Sequence, residues 1–171
     1  SESEYIDIGK RSDGGIYRNV IIFELGSFNQ TDRIKEANLA LFWYYPENQM
    51  RSKDTILEVY RPVTWCKEHV TWQQRESNDP WKNSGGDWYD RNGVFQGNTP
   101  YATISISGDE IPDNRYYELD VTELVQEYVS GKYENTGFLI KAREEDENYI
   151  AFYSSNWQNK NQRPRLTIEY A

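Results

Sequence analysis

Alternating apolar and polar positions run through most of this chain and predict short strands. The clearest run is 37–45, ANLALFWYY, with Leu39, Leu41, Trp43 and Tyr45 on one face and Ala40, Phe42 and Tyr44 on the other. Residues 17–25, YRNVIIFEL, alternate Asn19, Ile21, Phe23 and Leu25 against Val20, Ile22 and Glu24. Strands apolar on both faces belong inside a sheet that is covered twice. Further strands are predicted at 5–8, 55–61 (closed by Pro62), 101–107, 138–143, 149–155 and 164–170. Ala102, Ile104 and Ile106 point inward, as do Leu166, Ile168 and Tyr170. Residues 138–143 and 149–155, joined by the acidic turn EEDEN, are expected to pair as a hairpin. Turn residues cluster at 10–15, 46–53 and 111–114.

One segment breaks the period of two. In residues 116–131, YYELDVTELVQEYVSG, Val121, Leu124, Val125, Tyr128 and Val129 fall on one stripe of a helix. Asp120 stands at the N-cap position with Glu123 three residues on, and Gly131 stands at C′. The fold class is therefore all-β: a jelly-roll-like β-sandwich with one short amphipathic helix at about 120–130. By length the 171 residues are expected to form one domain, and the start of the chain reads like that of a module excised from a larger protein with its leader elsewhere.

Residues 65–97 resist this scheme: they hold four of the six Trp and many turn residues. A loop of that length in a small domain is usually functional or held by a ligand. Composition agrees with an all-β module rich in aromatics, which make up 15% of residues. The net charge of −9 argues against nucleic acid or anionic membrane as partners, and counts mildly against an acidic glycan. No apolar run of spanning length is present, so membrane insertion is not expected. The lone Cys66 excludes an intrachain disulfide.

The residue types allow three chemistries. For catalysis, the only histidine is His69; Cys66 lies three residues away, whereas nucleophile and base normally come from different elements, so both read as ordinary surface or packing residues. For metal, the oxygen-rich stretch 77–90, SNDPWKNSGGDWYD, offers Asp79, Asp87 and Asp90 to a structural Ca2+ without matching an EF-hand. The turn at 144–148 is a second acidic stretch. For sugar, Trp81, Trp88, Tyr89 and Trp157 sit among Asn, Gln, Gly, Lys and Arg, a setting for exposed rings that stack on a pyranose. Trp43, Trp65 and Trp72 read as core.

These residues carry a family likeness. The strands 17–25 and 37–45, then Trp65, Glu68 and Val70-Thr71-Trp72, occur in an order that resembles the DNRLRE-type domain, or disaggregatase-related repeat, of archaeal and bacterial surface proteins. Residues 113–118, DNRYYE, stand where the naming motif would be and depart from it at Tyr116 and Tyr117. Residues 119–122, 135–138 (NTGF), 152–155 (FYSS) and 163–166 (RPRL) extend the likeness over nearly the whole chain. The resemblance implies a non-catalytic, extracellular β-sandwich module of a cell-surface protein, some of whose relatives bind carbohydrate or calcium. It also implies that Trp65 and Trp72 are core and that Arg18 pairs with Glu24.

Three readings follow. The first is an adhesion module that binds a polysaccharide or envelope glycan and sits beside further domains of its own chain. The second is a structural repeat braced by Ca2+. The third, least favoured, is a polysaccharide-degrading enzyme.

Overall fold

The computed structural model describes residues 3–45, 50–112 and 115–171; the turn residues 46–49 and the first two of the DNRYYE motif lie outside them. The described residues form thirteen strands, one α-helix and one 3-10 turn in order: β1 (Tyr5–Lys10), β2 (Ile16–Tyr17), β3 (Asn19–Ile21), β4 (Ile34–Tyr45), β5 (Thr55–Pro62), β6 (Gln74–Glu76), β7 (Asp79–Pro80), β8 (Trp88–Tyr89), β9 (Ala102–Ile106), β10 (Tyr116–Asp120), α1 (Thr122–Val129), β11 (Phe138–Ala142), β12 (Ile150–Tyr153), the 3-10 turn (Lys160–Gln162) and β13 (Arg165–Tyr170).

Two antiparallel sheets face each other. The first runs β10–β4–β12–β1–β2, with β13 also on β4; the second runs β3–β11–β5–β8, with β9 also on β5. Strand β4 is long enough to take two partners along one edge, β13 over residues 34–40 and β12 over 43–45. The alternating positions fill the space between the sheets: Ile6, Ile8, Leu39, Leu41 and Trp43 from the first meet Leu57, Val59, Phe138 and Ile140 from the second. The all-β sandwich expected from the sequence is the fold observed. No helix among the described residues is long and apolar enough to cross a membrane.

The helix buries Leu124, Val125, Tyr128 and Val129 against this core, as its stripe requires. Its start differs from the capping box. Asp120 is still in β10, and its Oδ1 accepts from the Thr122 amide at 3.0 Å, one residue early. Glu123 forms an ion pair with Arg91 at 2.5 Å instead of returning to the cap. Gly131 takes φ +80° just past the helix, and the next amide, Lys132, closes onto the Glu127 carbonyl.

Three local expectations are corrected. Residues 17–25 are not one strand: β2 pairs with β1 in the first sheet and β3 pairs with β11 in the second, so the chain changes sheets at Arg18. Its apolar character on both sides reflects cover on both faces: Ile21 and Phe23 pack on the main core, and Val20 packs on the cluster of Tyr60, Trp88 and Leu139. Residues 138–143 and 149–155 do not form a hairpin, because β11 lies between β3 and β5 while β12 lies between β1 and β4. Tyr170, expected inward, is 55% exposed and packs edge-on against Phe28.

The 63–100 segment covers the outer face of the second sheet. There, Tyr60, Leu139 and Trp88 form a second small core. This cover also buries Glu58 and Lys141, which point to that face beside Arg143; burial lowers the Lys141 ammonium below the ordinary lysine range. Lys141 Nζ donates to the Ala142 carbonyl at 2.7 Å and stands 3.8 Å from Glu58, so the buried charge is paired.

Candidate functional site

A cleft of about 260 Å3 opens where the chain crosses between sheets. Arg18 and Asn19 supply one side, Tyr5 and Asn156 another, and Trp65 and Trp72 of the long segment close it. Both indoles are half-buried, where core positions were expected. Trp65 is fixed by its own N–H, which donates to the Thr136 carbonyl at 2.7 Å. Trp72 lies under the Arg18 guanidinium, 5.1 Å from carbon to ring centroid, and Trp88 lies 5.6 Å from the same carbon.

Arg18 does not pair with Glu24, which is exposed. Its Nε and Nη2 donate to Glu145 Oε2 and Oε1 at 2.9 and 2.8 Å, and Nη1 reaches the Gly85 carbonyl at 3.3 Å. This two-bond fork fixes the guanidinium plane and neutralises it. The cleft thus presents aromatic walls with amide and hydroxyl groups, and its arginine already has a counter-ion.

The ring residues proposed for sugar stacking separate. Trp81 also lines the cleft but is only 6% exposed, and its indole N–H donates to the Thr71 carbonyl at 2.9 Å. Trp88 is 8% exposed and donates to the Gly97 carbonyl. Neither shows the open face expected from its polar neighbours: Trp81 is bonded within the long segment, to Thr71 and Gln73, and Trp88 packs on Tyr60 and Leu139 of the sheet beneath. Tyr89 is half-buried against Phe95 and under Arg61. Trp157 is half-buried on the outer face of the first sheet, stacked on Tyr153 at 4.1 Å and 13°, with Tyr44 stacked on the other side of Tyr153 at 4.4 Å. Tyr5 links this aromatic face to the cleft, with its ring 6.3 Å from that of Trp157.

The three aspartates proposed for Ca2+ do not converge among the described residues. Asp79 pairs with Arg75 at 2.5 Å. Asp87 accepts from the Lys82 amide and from both the amide and side chain of Asn83, at 2.7, 2.9 and 3.0 Å. Asp90 accepts from the amides of Asn92, Val94 and Thr99 at 2.9, 2.9 and 3.2 Å. Both carboxylates are buried, and each uses three of its about four lone-pair sites on the loop's own N–H groups. They give Ca2+ no shared donor set.

Folding adds Glu76 to the Cys66 and His69 pair. Cys66 Sγ lies 3.4 Å from His69 Nδ1, and that same nitrogen lies 2.6 Å from Glu76 Oε1. A Cys–His–acid triad uses both ring nitrogens, one toward the nucleophile and one toward the acid. Here one nitrogen faces both partners. The thiol is pushed above its ordinary value, chiefly by its hydrogen bond to Glu68, whereas catalytic thiols are pulled down. The cysteine-x-x-histidine spacing was the available signal; Glu76 joins only through folding of the loop.

A family model, the disaggregatase related repeat domain, matches residues 1–168. A search of curated proteins finds no match.

Proposed function

The chain belongs to the disaggregatase-related repeat family, and from that premise we propose that it is a non-catalytic, extracellular surface module that binds carbohydrate in the cleft between Trp72 and Tyr5. The cleft's composition carries this reading: half-buried indoles beside amide and hydroxyl groups, with Arg18 paired to Glu145 and Lys67 as the other cation of the lining. Aromatic walls suit the C–H face of a sugar ring, and the surrounding polar groups suit its hydroxyls. An uncharged polysaccharide or envelope glycan fits better than an acidic one, given the net charge of −9. Trp157 and Tyr153 extend the surface through Tyr5 and give a chain of several sugars a second place to rest. Further domains of the same chain are its other partners; nucleic acid and membrane insertion have no part in this function. The Cys66–His69 arrangement offers no Cys–His–acid triad, since one ring nitrogen faces both partners.

Titration calorimetry against a panel of neutral oligosaccharides tests the proposal. Binding is expected for at least one, and Trp72→Ala is expected to weaken it about tenfold or more, a loss of about 1.4 kcal/mol. A panel without binding, or a Trp72→Ala protein with wild-type affinity, overturns it in favour of a purely structural repeat. New reducing ends from polysaccharide incubated with the protein would instead identify an enzyme.

A further inference from the structure

We propose that Cys66, His69 and Glu76 form a binding site for a divalent d-block cation, with Zn2+ as the natural occupant. Sulfur, nitrogen and oxygen donors converge here from one loop: Cys66 Sγ, His69 Nδ1 and Glu76 Oε1 all lie within 4.8 Å of one another. Two ligands of a tetrahedral zinc ion stand about 3.4–3.6 Å apart, given Zn–N, Zn–O and Zn–S bonds of about 2.0–2.3 Å. The Cys66–His69 separation of 3.4 Å already meets this, and the His69–Glu76 hydrogen bond at 2.6 Å has to open by somewhat less than 1 Å. Glu68, whose carboxylate touches Cys66 Sγ at 3.2 Å, or water completes the fourth position.

The backbone holds the ligands in place without the ion. The amides of His69 and Val70 both donate to the Cys66 carbonyl, a single helical turn that sets Cys66 and His69 on one side. The Cys66 amide donates to the Arg75 carbonyl and the Thr71 amide to the Gln74 carbonyl, a ribbon that delivers Glu76 beside them. Gln74 Nε2 caps the His69 carbonyl at 3.0 Å. The His69 and Glu76 side chains are 50% and 42% exposed, so an ion can enter from solution. The donor set is soft and nitrogenous, which suits Zn2+, Co2+ or Ni2+ and not Ca2+ or Mg2+. Residues 65–72 also bring Trp65 and Trp72 to the cleft, so a bound ion would brace the loop that forms one wall of it.

Reduced, metal-stripped full chain titrated with Co2+ and then with Zn2+ gives the test. Expected are one equivalent bound, a thiolate-to-cobalt charge-transfer band, loss of that band when Zn2+ displaces Co2+, and a melting temperature that rises with Zn2+. Cys66→Ser removes the band, and His69→Ala and Glu76→Gln each weaken Zn2+ binding at least tenfold. These side chains lie at the surface, so the stripped variants should melt with the stripped wild type. That comparison separates lost binding from lost folding. Absence of the charge-transfer band, or Zn2+ affinity unchanged in His69→Ala, overturns the site.

Discussion

Arg18 and Glu145 lie 127 residues apart in sequence and meet through two parallel hydrogen bonds at the point where the chain leaves one sheet for the other. Their side chains are 18% and 14% exposed. Glu145→Gln preserves shape but leaves the guanidinium part-buried without its counter-ion. The expected loss is about 1.5–3 kcal/mol of stability, the range for hydrogen bonds to charged groups. Denaturant melts of the two proteins check it; an unchanged midpoint would mean that Arg18 finds compensation from water. Because Arg18 lines the cleft, the same variant is expected to gain affinity for acidic oligosaccharides.

Trp81 and Trp88 separate burial from binding. Each is nearly enclosed and donates its indole N–H to a loop carbonyl. Trp88→Ala strips the cover from Tyr60 and Leu139 and is expected to cost about 3–5 kcal/mol, as buried Trp-to-Ala changes do. Trp72→Ala, at a half-buried position, is expected to cost less in stability and more in glycan affinity. Thermal melts and calorimetry on both variants read this contrast. The reverse ranking would place the sugar near Trp88.

These tryptophans show where the sequence was legible. The 3.6-residue stripe of α1 and the alternation in β4 record which face meets the core, so both elements could be read directly. Local polarity around Trp81 and Trp88 carries no such record. Their burial depends on a distant event, the folding of the 63–100 segment over the outer face of β5 and β11. The same limit explains β11 and β12: adjacency in sequence suggested a hairpin, while core packing sends them to opposite sheets. Arg18 stood out in the sequence, but its partner Glu145, 127 residues away, becomes a neighbour only when the chain changes sheets. Glu76 could not be joined to Cys66 and His69 before the loop ribbon was known.

Alkaline pH provides an independent probe of packing. Tyr60, Tyr101 and Tyr128 are buried, and burial is the first cause pushing their phenols above the ordinary value near 10. Tyr44 and Tyr149 are raised for the same first cause, and the Tyr149 hydroxyl donates to Asp7. A phenol raised in the folded state contributes its full stability below the unfolded pKa. That contribution is lost as pH climbs from about 10 toward the folded value, because the unfolded chain releases the proton first. Spectrophotometric titration is expected to ionise only part of the 14 tyrosines while the fold persists, the rest following in one cooperative step with unfolding. Smooth titration of all of them below that step would contradict the packing described.

Two accounts of what orders the long loop give opposite results with Ca2+. A cation-braced loop brings several oxygen ligands together, carboxylates with open lone pairs among them. Asp87 and Asp90 instead act as internal knots, each gathering three N–H donors from within the loop. Gly97 presses so closely on the Asp90 carboxylate that a Cβ there would overlap it. Added Ca2+ is therefore expected to leave the melting temperature of metal-stripped protein unchanged. Asp90→Asn puts an N–H2 group where the loop offers only donors and is expected to cost about 1–3 kcal/mol. Gly97→Ala is expected to destabilise through the same carboxylate, so that adding it to Asp90→Asn costs less than the sum of the two. A melting temperature that rises with Ca2+ and stops rising in Asp90→Asn would restore the cation-braced account.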